Sequence, residues 1–170
     1  MQINVSQQLK ASAGTTQDYE VNEVVNIAGG SSVVQGKLKL MRTSQGILAR
    51  AILRTEVRVT CSRCLTSFGY PLTLNIEEEY LPTVDIVSST QLPMPEEPGC
   101  FTIDEYHVLD LTEAIRQYAL LAIPMKPLCR EDCAGLCPNC GHNLNQGACD
   151  CLSQKAVMSN KLTLASDIGR

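Results

Sequence analysis

Six of the nine cysteines in this 170-residue chain fall between Cys129 and Cys151, and their spacing constrains the fold more than any other feature. They read C-x3-C-x3-C-x2-C-x8-C-x-C, and a further pair, Cys61 and Cys64, lies far upstream. Thiolates spaced two or three residues apart can converge on one tetrahedral ion with Zn–S distances of about 2.3 Å. The cysteines therefore predict a chain held together by metal, and they say little about any reaction.

The alternative to metal is a disulfide framework, which the sequence disfavours. The number of cysteines is odd, and the first residues, MQINVSQQLK, have neither the basic region nor the apolar stretch of a secretory signal. No apolar run approaches the ~18–20 residues needed to cross a bilayer. We therefore expect a cytoplasmic protein without a membrane partner, in which the thiols stay reduced and can bind metal.

Eight cysteines remain when Cys100 is set aside as an expected free thiol, and eight are enough for one or two zinc ions. By spacing, the CPxCG knuckle pairs with the two cysteines that follow an eight-residue loop containing glycines. The predicted set is Cys137, Cys140, Cys149 and Cys151. Because residues 149 and 151 would point in opposite directions in an extended backbone, His142 is an alternative ligand.

The remaining four cysteines form the other predicted set, which consists of Cys61, Cys64, Cys129 and Cys133. Such a site would fasten the C-terminal segment to the turn that carries Cys61 and Cys64. The alternative for these two residues is a pair of reduced thiols that bind no metal.

Two alternating segments flank the upstream CxxC pair. From Ala49 to Cys61 the odd positions are small or apolar and most even positions are charged, which is typical of a half-buried strand. Phe68 to Tyr80 alternates in the same way. The pair is therefore predicted to lie at the tip of a β-hairpin.

A helix is predicted over 111–123, with Asp110 as its N-cap and Glu113 three residues later, as in a capping box. Pro124 ends this helix. Residues 81–101 contain four prolines and are interpreted as a long acidic loop.

These patterns predict an α+β fold: an antiparallel sheet or meander with one main helix and a zinc-stapled C-terminal cysteine segment. The predicted divisions are a β-rich core over 1–123, a zinc-binding segment over 124–151 and a tail over 152–170. The middle segment has too few large apolar side chains to build a core. Structural zinc supplies about 10–16 kcal/mol in small peptides, so metal is the expected reason that it folds.

Charge is unevenly distributed along the middle of the chain. Seven basic residues and one acid lie between positions 37 and 63, whereas ten acids and no Lys or Arg lie between 65 and 115. The two stretches can pair across a sheet, or they can form separate faces for RNA and for a basic partner. The candidate nucleic-acid-binding residues are Lys37, Lys39, Arg50, Arg54 and Arg58. Two Phe, five Tyr and no Trp argue for contacts to phosphates rather than base stacking.

No catalytic constellation is visible. Catalytic zinc has three protein ligands, often histidines, and an open position, and this chain has two histidines and no HExxH. We expect neither enzymatic activity nor a small-molecule substrate.

The stretches INVSQQLK, CSRCL, LTEAIRQYALLAIPMKPLC and CAGLCPNCGHNLNQGACDC resemble the YceD family of large ribosomal RNA subunit accumulation proteins. The resemblance implies a bacterial cytoplasmic protein without an established catalytic activity, implicated in the accumulation or processing of large-subunit ribosomal RNA. It also implies that the pair at Cys61 and Cys64 is widespread in the family, whereas the run from Cys129 to Cys151 occurs in part of it.

The expected function is a non-catalytic zinc-binding factor in large-subunit rRNA accumulation, processing or ribosome assembly. Its expected partner is an rRNA precursor or a large-subunit ribosomal protein. One alternative is a zinc-ribbon-type nucleic-acid-binding regulator, which needs a basic recognition helix, and the predicted helix contains only Arg116. Another is a thiol/zinc redox switch, which needs exposed thiolates of low pKa.

Overall fold

The computed structural model describes residues 1–93, 99–149 and 151. The predicted 152–170 tail therefore lies outside the described residues, as does part of the predicted acidic loop.

The chain divides into two compact units. The first comprises Met1–Arg58 and Gly69–Pro124, and the second comprises Val59–Phe68 together with the residues from Met125 onward. The second unit thus combines the turn that contains the upstream CxxC pair with the cysteine-rich segment. The predicted divisions, by contrast, followed the order of the chain.

The first unit is built on a seven-stranded sheet with the strand order β1-β7-β6-β5-β4-β3-β2. The elements in chain order are β1 (Gln2–Asn4), α1 (Ser6–Lys10), β2 (Thr16–Ile27), β3 (Gly30–Arg42), β4 (Ile47–Thr60), β5 (Ser67–Pro82), β6 (Phe101–Ile103), β7 (Val108–Asp110) and α2 (Thr112–Ala122). Strand β6 runs parallel to β5, whereas β6 and β7, β7 and β1, β2 and β3, and β3 and β4 pair antiparallel.

The predicted α+β class is wrong, because the structure is mostly sheet. Strands β2 to β5 are 12, 13, 14 and 16 residues long, whereas the two helices have five and eleven residues. The alternation between buried and exposed side chains also extends along β3, from Ser32 to Leu40. The predicted antiparallel sheet is also wrong, because β6 pairs parallel with β5. Parallel pairing needs a long connection between the two strands, and the chain between Pro82 and Phe101 provides it.

The long strands form because side chains alternate between a buried and an exposed face. In β4 every odd position from Ile47 to Val57 is buried, and these residues face the buried positions of β3 across the register Leu38↔Ala51 and Leu40↔Ala49. Burying one face of a strand while the other stays polar fixes the register, because a one-residue slip would expose the whole apolar set.

Helix α2 covers part of this core with one face. Ala114, Ile115 and Ala119 are buried, and they recur at the spacing of one helical face. The N-cap residue of α2 is Leu111, one residue after the predicted Asp110, and it makes no side-chain capping bond. The Asp110 carboxylate still accepts a hydrogen bond from the Thr112 backbone N–H at 2.8 Å. Among the described residues, no helix combines the length and the hydropathy needed to cross a membrane.

Candidate metal centres and basic sheet face

A tight turn between β4 and β5 holds Cys61 and Cys64 together. The Cys61 backbone N–H donates to the Thr66 carbonyl at 2.9 Å, and the Leu65 N–H donates to the Cys61 carbonyl at 3.0 Å. Leu65 has a φ of +58°, in the left-handed region that lets the chain reverse. The turn buries both cysteine side chains, with 0% and 5% exposure.

The downstream pair Cys129 and Cys133 completes a group of four sulfurs, which we call the first centre. The Sγ atoms of Cys61 and Cys133 are 3.8 Å apart, and those of Cys64 and Cys129 are 3.6 Å apart. All four sulfurs lie within 4.8 Å of one another. The Ser62 N–H donates to the Pro127 carbonyl at 2.8 Å and holds the two chain segments side by side.

The donor set of the first centre fits a structural zinc ion. A tetrahedron with Zn–S distances of about 2.3 Å has S···S edges of roughly 3.8 Å, close to the separations found here. All nine cysteines are free thiols, so none of these contacts is a disulfide. The four cysteines could therefore hold a metal ion, and no His, Asp or Glu among the described residues joins their group.

Backbone amides and burial shift the pKa values of the cysteines in the first centre in different directions. The N–H groups of Cys64 and Cys129 point toward Cys61 and lower its pKa to about 6. A hydrogen bond with the Thr66 hydroxyl lowers the pKa of Cys64. Burial and the neighbouring sulfur of Cys64 raise the pKa of Cys129 to about 12. The pKa values of Cys61 and Cys129 are thus shifted in opposite directions, and a bound cation would displace the protons that remain.

A second group of four sulfurs lies further along the same unit, and we call it the second centre. Its members are Cys137, Cys140, Cys149 and Cys151, all with sulfurs within 4.8 Å of one another. His142, the alternative ligand, is exposed and lies outside the group; its carbonyl accepts a hydrogen bond from the Cys137 N–H at 2.8 Å. The members of both centres are the same as those inferred from spacing, and metal binding by either centre stays a prediction.

The second centre is more accessible than the first. Cys137 is buried, whereas Cys140 is exposed. The backbone N–H groups of Cys140 and Asn139 lower the pKa of Cys137 to about 7. A hydrogen bond with Cys140 and, to a smaller extent, burial raise the pKa of Cys151 to about 11. Cys100 belongs to neither centre and is exposed.

Sequence analysis missed the polar side chains that surround the first centre. The Asn145 amide nitrogen lies 3.3 Å from the Cys133 sulfur, and the Thr66 hydroxyl lies 3.4 Å from the Cys64 sulfur. Arg63 donates to the Cys133 carbonyl at 3.0 Å. The sequence signal for these contacts is the N-x-N pattern of Asn143 and Asn145 in the loop between Cys140 and Cys149. Short polar side chains near a metal site can hydrogen-bond its thiolates.

The five candidate nucleic-acid-binding residues all lie on the exposed face of β3 and β4. We call this set the basic face: Lys37, Lys39, Arg50, Arg54 and Arg58. Four of its members line an open groove of about 960 Å³ in the first unit, which Arg58 does not line.

Carboxylates occupy part of the basic face. Lys39 pairs with Asp18 at 3.6 Å, and Arg50 pairs with Glu77 at 2.7 Å. Within the described part of the chain, Lys37, Arg54 and Arg58 form no ion pair. The Arg50–Glu77 pair joins the basic stretch to the acidic stretch, as the pairing interpretation expects, whereas Asp18 lies outside both stretches. A basic face for RNA stays a prediction.

Comparison with known protein families gives a match. Residues 49–162 match the family described as "Large ribosomal RNA subunit accumulation protein YceD", and the matched region covers more than half of the chain. The chain belongs to the YceD family. The predicted resemblance is thereby confirmed.

Several mycobacterial proteins are similar to this YceD-family chain. An uncharacterized protein of Mycobacterium tuberculosis is 29% identical over 104 residues, which is 61% of this chain and 48% of that protein. An uncharacterized protein of Mycobacterium leprae is 25% identical over 107 residues, which is 63% of this chain and 47% of that protein. The match thus spans about half the length of these curated relatives. No solved structure matches the chain.

The region matched to the YceD family begins at Ala49, the third residue of β4. It contains all eight cysteines of the two centres and three members of the basic face, Arg50, Arg54 and Arg58. Lys37 and Lys39 on β3 precede it.

Proposed function

We propose that this chain is a non-catalytic, zinc-binding factor that supports the accumulation or processing of large-subunit ribosomal RNA. The family description supports the ribosomal role, since it names large ribosomal RNA subunit accumulation and no reaction. The donor sets support the non-catalytic role. Structural zinc sites are closed by four protein ligands, whereas catalytic sites keep a position open for water.

One zinc ion would be held by the four cysteines of each centre. Bound zinc supplies positive charge that offsets the thiolates, and it ties together chain segments that share little apolar surface. In the second unit the buried cluster consists of Cys61, Cys64 and Cys133. Since such thiolate sites require reduced cysteines, we place the protein in the cytoplasm.

The groove on the basic face is the observation that carries the RNA-binding proposal. It brings Lys37, Lys39, Arg50 and Arg54 onto one concave surface, although they come from two strands. Lysine and arginine side chains positioned along a surface bind phosphate oxygens and orient a duplex. Within the described chain, none of the residues that line the groove is aromatic, which favours backbone contacts over base stacking.

The preferred ligand is a double-stranded region of an rRNA precursor. A basic large-subunit ribosomal protein is the second candidate, because Glu20 and Glu56 are exposed on the same sheet. Neither carboxylate forms an ion pair with another described residue. Glu20 lies opposite Lys37 in the β2–β3 register, and Glu56 lies between Arg54 and Arg58 along β4, so both carboxylates are interspersed with the basic face. Exposed carboxylates can attract a basic partner.

The test is binding of a duplex fragment of large-subunit rRNA, measured by fluorescence anisotropy across a salt series. Removing Lys37 and Arg54 together should weaken binding and reduce the salt slope by about two, since each phosphate contact contributes roughly one. The matched control replaces Lys10 and Arg116 with alanine, which removes the same charge from the two helices. Equal affinity and slope for the Lys37/Arg54 variant and the unaltered protein would rule out this face as the RNA site.

A further inference from the structure

The loop between Cys140 and Cys149 belongs to the second centre by sequence, yet its polar side chains reach the first centre. Asn145 donates from its side-chain nitrogen to the Cys133 sulfur at 3.3 Å. Its side-chain oxygen accepts from the Ala134 N–H at 2.8 Å and from the Arg130 guanidinium at 2.6 Å. Both the oxygen and the nitrogen of the Asn145 side chain therefore contact the segment that carries Cys133, a member of the first centre.

Asn143, two residues earlier, reaches the opposite side of the first centre. Its side-chain nitrogen donates to the Thr66 hydroxyl at 3.3 Å, and that hydroxyl lies 3.4 Å from the Cys64 sulfur. The Asn143 oxygen accepts from the Asn145 backbone N–H at 3.0 Å and from the Asn145 side chain at 2.8 Å. The two asparagines therefore act as one hydrogen-bonded pair.

Backbone hydrogen bonds hold the loop in the position from which it makes these contacts. The Leu144 N–H donates to the Gly135 carbonyl at 2.9 Å, and Leu136 forms an isolated bridge with Asn143. Residues 134–136 separate the last ligand of the first centre from the first ligand of the second. One short stretch of chain is thus shared by both centres.

We propose that this loop couples the two centres, so that metal bound at the second centre strengthens metal binding at the first, with Asn145 as the positioning residue. The inference rests on the proposed zinc binding. An ion at the second centre fixes both ends of the loop, at Cys140 and Cys149, and removes the entropy cost of ordering the asparagines. The N–H···S bond then stabilises the Cys133 thiolate. By thermodynamic reciprocity, an ion at the first centre strengthens the second by the same factor.

The experiment measures zinc affinity of the full chain under reducing conditions by chelator competition, together with metal content. Asn145→Ala should still bind two ions at saturation, but the affinity of the first centre should fall about 10- to 100-fold, the usual effect of losing an outer-shell partner. Gln146→Ala is the matched control, since this neighbouring side chain is exposed and makes no hydrogen bond among the described residues.

Asn145→Asp removes the donor nitrogen of Asn145 while keeping its acceptor. Aspartate can still accept from Ala134 and Arg130, but it loses the nitrogen that donates to Cys133 and to Asn143, and it adds a negative charge beside the sulfurs. The coupling account predicts that Asn145→Asp weakens the first centre at least as much as Asn145→Ala. It also predicts a shifted thiolate-to-metal absorption when Co²⁺ replaces zinc. Wild-type affinity and spectrum for Asn145→Asp would overturn the role of Asn145.

A double-mutant cycle tests the coupling itself. Replacing Cys140 and Cys149 with serine removes the second centre, and zinc affinity at the first centre should then fall. Adding Asn145→Ala in that background should have a smaller effect than it has alone. Additive effects would overturn the coupling while leaving two zinc centres in place. Absence of zinc from the unaltered protein would instead overturn the zinc proposal on which the coupling rests.

Discussion

The sulfurs of Cys61 and Cys133 lie 3.8 Å apart, although 72 positions separate the two residues in the sequence. A separation of that size brings a turn after β4 and a segment after α2 into one cluster. Around the three buried cysteines, the larger apolar side chains among the described residues are Phe68, Leu128 and Leu136, which are only partly buried, so apolar burial stabilises this cluster weakly. A bound cation is the most direct source of the missing free energy.

Metal removal should therefore affect the two units differently. Treatment with a strong chelator is expected to expose the amides of residues 125–149 to hydrogen exchange, because the second unit has little core besides its cysteines. The strands β2 to β4 should keep their protection, since their core consists of aliphatic side chains such as Leu38, Leu40 and Leu53. Hydrogen-exchange mass spectrometry with and without chelator gives the answer. Loss of protection throughout the sheet would contradict this division.

The turn that carries Cys61 should give the metal-free protein a distinct pH dependence, because the main cause of the lowered pKa of Cys61 is the Cys64 backbone N–H in that same turn. The pKa of Cys61 is about 6, below its ordinary value of 9.0, so its thiolate stabilises the fold at alkaline pH. That contribution is lost as the pH falls toward and through 6. Thiolate ultraviolet absorbance of the metal-free chain should persist at neutral pH, and Cys61→Ser should remove the step near pH 6. Complete loss of thiolate absorbance already at neutral pH would contradict the assignment.

Tyr80 offers a test of the first unit that is independent of metal. The ring is 1% exposed and stacks on Phe101, but its hydroxyl has no hydrogen-bond partner among the described residues. Tyr80→Phe should raise the free energy of unfolding by about 1–3 kcal/mol, because it removes a buried unsatisfied group. Urea denaturation measures the change. Tyr118→Phe is the control and should lower the free energy of unfolding, since the Tyr118 hydroxyl donates a hydrogen bond to Glu78 at 2.8 Å. A destabilised Tyr80→Phe variant would show that the hydroxyl has a partner.

Gly36 lies where β3 comes very close to β4 at the groove. A Cβ atom there would overlap the Ile52 carbonyl oxygen and lie 2.9 Å from the Leu53 Cα, and the φ of Gly36 is +156°. Gly36→Ala should destabilise the protein by about 2 kcal/mol or more, since both contacts are to backbone that cannot rotate away. Gly29→Ala, in a turn with φ +81° and open space around the new methyl group, should cost only about 1–2 kcal/mol. Equal thermal stability of the two variants would contradict the close approach.

Local patterns predicted the elements better than their assembly. The alternation from Ala49 to Cys61 became most of β4, and the apolar spacing after Asp110 became α2, because both depend on residues that are neighbours in sequence. The pairing of β1 with β7 and of β6 with β5 depends on partners that are distant in sequence. No local period encodes such pairings. The predicted fold class is wrong because long strands were predicted only on either side of the CxxC pair, whereas β2 and β3 are also 12 and 13 residues long.

The same limit applies to the candidate sites. Two-residue spacing grouped the cysteines, because ligands on one turn must converge on one ion. The contacts of Asn145 with Cys133 and of Asn143 with Thr66 depend on how one loop folds over another centre, which spacing does not reveal.

Zinc content per chain tests the central claim most directly. Protein purified without chelator should contain about two zinc ions by elemental mass spectrometry, one for each four-cysteine centre. Cys61→Ser/Cys64→Ser should contain one, because the second centre keeps its four ligands, and Cys100→Ser should still contain two. Two ions in both the double variant and the unaltered protein would remove Cys61 and Cys64 from the ligand set. No zinc in the unaltered protein would contradict the account as a whole.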